Sequence, residues 1–128
     1  PDSVNQYLTY QSKYELVNRF LAMNETIAFI GHTHLQKIVT FTKSDMNIVT
    51  ASLRKGPIKI DDEHKYIVNV GSIGQPRSSN KQAKYVIYDL DQRELQSRYL
   101  DYNVDKAAKK IKKAGYPESN AKILYGKK

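Results

Sequence analysis

Two histidines two residues apart, His32 and His34, stand in the stretch Gly31-His32-Thr33-His34, directly after the apolar run Ile27-Ala28-Phe29-Ile30. Imidazole is the commonest metal ligand among side chains. Alternate residues of an extended segment share a face, so this spacing can aim both rings at one point. Gly31 lets the backbone bend ahead of the pair without a Cβ clash. A pair of polar surface residues in a loop is the competing reading. The place of the pair at the end of a buried strand favours chemistry, because loops at strand ends carry most binding and catalytic groups. Two imidazoles do not complete a catalytic centre, which ordinarily takes three or more protein ligands. The remaining ligands must come from elsewhere.

Two other stretches offer reactive side chains. Asp61-Asp62-Glu63-His64 holds three carboxylates and the third histidine. It reads as the solvated tip of a turn, the ordinary place for such residues. Gly71-Ser72-Ile73-Gly74-Gln75-Pro76-Arg77 follows a second strand-like run. Its glycines permit close backbone approach to a ligand, Ser72 offers a hydroxyl, and Arg77 can fork onto a phosphate. A tight turn followed by a surface arginine is the other reading of the same residues. The loop is not a P-loop, since no Gly-Lys-Ser/Thr closes it.

The elements that must position these loops can be read from periodicity. Ser12-Lys13-Tyr14-Glu15 fits a capping box, and Tyr14, Val17, Phe20 and Leu21 give the following helix an apolar side. Thr26 to Ile30 is a short, nearly all-apolar strand of the kind buried on both faces in the middle of a layered structure. Strands follow over Lys37 to Thr42, Asn47 to Ser52, Pro57 to Ile60 and Lys65 to Val70. Lys84 to Leu90 and Glu94 to Tyr102 complete the set, the last with neither face cleanly apolar, as expected near a sheet edge. A helix begins at Asn103, with Val104, Ala107, Ala108 and Ile111 as its apolar stripe. Gly115 closes it, and a short helix runs from Glu118 to Leu124. Pro1-Asp2-Ser3 reads as a loop.

Composition sets the outer limits. A chain of 128 residues is the size of one domain. It contains no cysteine, which excludes disulfides and thiolate metal sites and agrees with a cytoplasmic location. No apolar run is long enough to span a membrane. The net charge is +8, and the segment from Asn103 to Lys128 holds eight lysines against Asp105 and Glu118, so +6 of it lies there. That basic segment suits either a solvated helix face or an anionic surface such as nucleic acid.

Three stretches taken together resemble a known family. Phe29-Ile30-Gly31-His32-Thr33-His34 comes first. Asn69-Val70-Gly71-Ser72-Ile73-Gly74-Gln75-Pro76-Arg77 begins thirty-five residues after His34, and Tyr85-Val86-Ile87-Tyr88-Asp89 follows. In that order they resemble the second half of calcineurin-like metallophosphoesterases, above all their small bacterial and archaeal phosphoesterase branch. That family usually has proline at the position of Val70. The resemblance runs from Ile27 to the end of the chain, including Ala107-Ala108-Lys109-Lys110-Ile111 and Gly115-Tyr116-Pro117.

The resemblance implies an α/β fold: the C-terminal half of a four-layer α-β-β-α sandwich, with a mixed sheet and C-terminal helices. Residues 1–128 would form one segment of that domain, with 103–128 as a lysine-rich helical tail. It implies hydrolysis of a phosphomonoester or phosphodiester by a hydroxide activated between two divalent metals. Manganese is the expected metal, with iron, zinc or nickel suited to the same donors. His32 would ligate one metal and His34 the other; Arg77, by its own planar fork, is the expected contact to the substrate. The family's earlier Asp-x-His, Gly-Asp-x-x-Asp and Gly-Asn-His motifs and its further histidine do not stand ahead of Gly31 in this sequence. The chain is therefore expected to be partnered by a missing N-terminal half. That half would lie upstream in a longer enzyme, as a start at Pro1 rather than methionine favours, or in another chain, or be lost. On its own the segment is expected to be inactive. The contrasting reading is a non-catalytic module that binds nucleic acid through its lysines or pairs with another subunit.

Overall fold

Ser12 caps the first helix, α1 (Lys13–Ala22), as its sequence requires: the Glu15 amide donates to Ser12 Oγ (3.2 Å) and the Ser12 amide to Glu15 Oε2 (2.7 Å). The computed structural model describes residues 12–77 and 79–126, so the expected loop at Pro1-Asp2-Ser3 lies outside the described residues. The line of α1 that packs inward is Val17, Phe20 and Met23. Tyr14 and Leu21, expected on the same side, are exposed. A step of one residue turns about 100° around a helix, so Leu21 swings away once Phe20 points in.

Seven strands follow: β1 (Ile27–Ile30), β2 (Lys37–Thr42), β3 (Asn47–Ser52), β4 (Gly56–Lys59), β5 (His64–Asn69), β6 (Ala83–Asp89) and β7 (Glu94–Leu100). They form a four-stranded sheet in the order β1-β5-β2-β3 and a three-stranded sheet in the order β4-β7-β6. β1 and β5 are parallel, with Ile27 opposite Tyr66 and Ile30 opposite Asn69; β2 runs antiparallel to β5 and β3. The two sheets face each other across a core of Ile38, Leu53, Ile60, Tyr66, Val68 and Leu95. On the far side of the larger sheet, Phe20 of α1 stacks on Phe41 with centroids 5.1 Å apart, against Ile67. The expected class, two sheets with helices outside them, is the one observed.

Two strand positions differ from expectation. β1 lies at the edge of its sheet among the described residues, and its Phe29 is 44% exposed. The strand buried on both faces is β5, which sends Tyr66 and Val68 into the core between the sheets and Ile67 toward α1. Short apolar runs read alike in sequence whichever of them is central. Conversely, β7 is the middle strand of its sheet and not an edge. Its mixed pattern arises because buried Ser97 sits on the inner face beside Leu95, where it has a specific polar partner.

Beyond β7, Asn103 caps α2 (Val104–Lys113) by accepting from the Lys106 amide at 2.8 Å. Gly115, at φ 78°, takes the left-handed turn that ends it. α3 (Glu118–Lys122) and a 3-10 turn over Ile123–Tyr125 then fold back, and Ala108, Ala121 and Leu124 form a separate apolar cluster with Val104, Ala107 and Ile111.

One tie between α1 and the sheet has no signature in the sequence. Lys65 of β5 reaches across to the end of α1, where its Nζ donates to the carbonyls of Phe20 (2.7 Å) and Met23. A cation at a helix C-terminus bonds the last carbonyls and is favoured by the helix dipole. Lys65→Met keeps the aliphatic stem and removes the charge. It is expected to lower unfolding free energy by about 2 kcal/mol in chemical denaturation, the scale of a half-buried charged hydrogen bond.

Candidate functional site

Because β1 and β5 are parallel neighbours in register, both end at one edge of the sheet. The Val70 amide donates to the Ile30 carbonyl (3.0 Å) just where the two strands stop. The loops that follow, Gly31 to Gln36 and Val70 to Arg77, therefore leave side by side. Strand carboxyl ends of this kind are where ligand sites form in α/β sheets.

The first loop is a turn and not an extended segment. The Thr33 amide donates to the Gly31 carbonyl at 3.1 Å, and His32 (φ 78°) and His34 (φ 61°) are both left-handed. This corrects the expectation that strand alternation aligns the rings. It also moves the unusual backbone from Gly31 onto the histidines themselves. A non-glycine residue held left-handed costs on the order of 1 kcal/mol, and such residues cluster at functional sites.

The second loop fixes one ring of the first. Nδ1 of His34 lies 2.8 Å from the Gln75 carbonyl. A carbonyl only accepts, so Nδ1 carries the proton, and in the neutral ring the Nε2 lone pair is presented outward. That is the arrangement by which metal-ligating histidines are ordinarily oriented. Ser72 shapes this loop, with its Oγ accepting from the amides of Gly74 (3.3 Å) and Gln75 (3.0 Å). His34 is half-buried and His32 exposed. Arg77 is exposed on the same loop, two residues beyond the carbonyl that holds His34.

Two residues that sequence reading missed hold this edge together. Gln36, 7% exposed, donates through Nε2 to the carbonyls of Val70 (3.2 Å) and Tyr85 (3.0 Å), and its Oε1 accepts from Ser97 Oγ (2.8 Å). It joins the larger sheet to both β6 and β7. Asn69, at the end of β5, donates to the Gly31 carbonyl and to Thr33 Oγ1, both at 2.8 Å, and accepts from the Gly71 amide at 3.2 Å. Asn69 shows in the sequence only as a polar residue at the end of a strand pattern, and Gln36 only as a polar residue just ahead of one.

The Asp61-to-His64 turn lies elsewhere. His64 begins β5 and Asn69 ends it, a separation of roughly 17 Å along the strand. Its groups are also committed to each other. Arg93 forks onto Asp62 (2.7 and 2.6 Å), and that hydrogen bonding holds the carboxyl below its ordinary value. Burial pushes Asp61 up, but hydrogen bonds from the His64 ring and backbone outweigh it, and Asp61 also sits low. Among the described residues, no group of three or more His, Cys, Asp or Glu side chains converges to hold a metal ion. The two imidazoles of His32 and His34 are of a donor type that suits part of a metal site. On α2, Lys106, Lys109, Lys110 and Lys113 line an open depression with Asn103 and Asp105, whereas Lys112 and Lys122 pair with Glu118 (3.0 and 3.5 Å). No helix among the described residues is long and apolar enough to cross a membrane.

No protein-family model matches this sequence. The chain is 34% identical over 92 residues to an uncharacterized protein of Methanocaldococcus jannaschii, a match covering 72% of this chain and 35% of that protein. In structure it is similar to a metallophosphoesterase from Sphaerobacter thermophilus, with a TM-score of 0.71 and 24% sequence identity over 88% of this chain and 46% of the other. The chain therefore has a metallophosphoesterase-like fold. It spans about a third of the archaeal relative and less than half of the bacterial protein.

The two glycines of the second loop are expected to respond differently to substitution. Gly71 has φ +88°, and a Cβ there would lie 2.7 Å from Gln36 Cγ and 3.0 Å from Lys84 Cβ, whereas a Cβ on Gly74 meets open space. Gly71→Ala should lower unfolding free energy by about 2 kcal/mol in urea denaturation, and Gly74→Ala by no more than about 0.5 kcal/mol.

Proposed function

We propose that His32 and His34 are two ligands of a two-metal phosphoesterase centre, and that this chain is the C-terminal half of the domain that builds it. The observation that carries the reading is the His34 Nδ1–Gln75 carbonyl bond, which orients a histidine of the first motif from the loop of the second. The metallophosphoesterase-like fold supports it. Two divalent ions, manganese by first choice and iron, zinc or nickel on the same donors, would polarise a phosphoryl oxygen and activate water for in-line attack. Within this chain, His34 holds a fixed ring, His32 stands exposed beside it, and Arg77 is free to grip a phosphate oxygen with its planar fork. Substrates would be phosphomonoesters or phosphodiesters. The remaining ligands, carboxylates included, would come from the N-terminal half. Among the described residues β5 is the one strand paired with β1, and the opposite edge of β1 suits a strand from that half. A cysteine-free chain fits the reducing cytoplasm.

The test uses the intact protein. His32→Ala and His34→Ala should each lower bound manganese and hydrolysis of p-nitrophenyl phosphate by more than the roughly 10–100-fold that loss of an outer-shell partner causes. Full metal content and full activity in both variants would remove the reading. The 128-residue chain by itself should not turn over this substrate.

A second reading, a basic module that holds nucleic acid, is favoured by the four lysines of α2 gathered on one depression. It requires affinity for single-stranded RNA to fall with salt at a log–log slope of about −3, set by four phosphate contacts, and to disappear when those lysines become glutamine. Salt-independent or absent binding eliminates it.

A further inference from the structure

We infer that Asn69 is the positioning residue that locks the two motif loops into one unit and so fixes where the rings of His32 and His34 stand; this rests on reading the pair as metal ligands. Asn69 is 5% exposed and lies opposite Ile30 in the parallel register, the one place on β5 from which a short side chain reaches both strand exits. All three of its amide bonds go to those exits. Nδ2 donates one hydrogen to the Gly31 carbonyl and the other to Thr33 Oγ1, while Oδ1 accepts from the Gly71 amide. The carbonyl can only accept and the amide can only donate, so these partners fix the carboxamide in one orientation.

The bonds bracket the histidines. Gly31 and Thr33 are the residues on either side of His32, so Asn69 grips its left-handed turn through the Gly31 carbonyl on one side and the Thr33 hydroxyl on the other. Thr33 Oγ1 also accepts from the Leu35 amide at 3.4 Å, which carries the grip across His34. On the other loop, Gly71 opens the segment whose Gln75 carbonyl receives the His34 ring. One side chain thus holds a carbonyl and a hydroxyl of the histidine turn and the amide that starts the loop orienting His34. A left-handed backbone at two successive alternate residues persists only when its surroundings over-determine it, and Asn69 supplies that determination.

The inference is tested by Mn2+ titration of the intact protein. Asn69→Ala removes the clamp. Asn69→Asp keeps its size and its acceptor for Gly71 but sets a carboxylate oxygen against the Gly31 carbonyl. Both should bind Mn2+ about 10–100-fold more weakly than the unmodified protein, the effect of an orienting partner. Lys65→Met, destabilised at a remote point, should bind Mn2+ normally and serves as the control for lost stability. Thr33→Val deletes one arm of the clamp at constant shape and should weaken binding several-fold, while Thr33→Ser, which keeps the hydroxyl, should not. Unchanged Mn2+ affinity in the Asn69 variants overturns the inference, as does equal affinity in Thr33→Val and Thr33→Ser should the Asn69 variants not fold. Undiminished Mn2+ binding by His32→Ala and His34→Ala would instead defeat the metal reading on which the inference rests.

Discussion

The parallel pairing of β1 with β5 is the constraint on which this molecule depends. Its register ends both strands at the same level, and everything of chemical interest follows from that coincidence. Had the two strands run antiparallel, the histidine loop and the glycine loop would have left from opposite ends of the sheet. The pairing is held by apolar contacts on two sides. Val68 and Tyr66 press into the core between the sheets, and Ile67 meets Phe20 and Phe41 under α1. Apolar burial thus fixes the position of a polar edge.

That edge is then finished by buried amides. Gln36 ties the larger sheet to β6 and β7, and Asn69 ties the two loops to each other. Apolar packing is non-directional and tolerates small slips of one sheet over another. A buried carboxamide does not, because a displaced partner leaves a desolvated donor or acceptor unmatched. The two amides therefore convert an approximate sandwich into one with a defined relative position of its parts, at the end of the sheet where the two loops leave.

The elements themselves were largely legible in the sequence. The capping box at Ser12, the β-branched runs of β2 and β3, and the cap at Asn103 are local signals, and each element formed where its signal lay. Legibility failed where the answer is non-local. Ile27-Ala28-Phe29-Ile30 and Tyr66-Ile67-Val68 are alike as strings, and only the partners on either side decide which is central. At the site, the two motif loops could be picked out, but the left-handed turns of His32 and His34 could not, since nothing about histidine requests them. Gln36 and Asn69 were invisible as tethers because their partners lie 34 or more residues away, apart from the Gly71 amide.

The same separation has a consequence for how the molecule comes to be. The contact that orients His34 joins residues 41 apart in the chain, with β2, β3, β4 and β5 between them and β2 paired to both β3 and β5. Closing so long a loop is entropically unfavourable until the intervening strands have shortened it. The histidine turn therefore comes early in the chain, yet its contacts with the second loop depend on the pairing of β1 with β5. The side-by-side placement of the two loops exists only where that pairing is made.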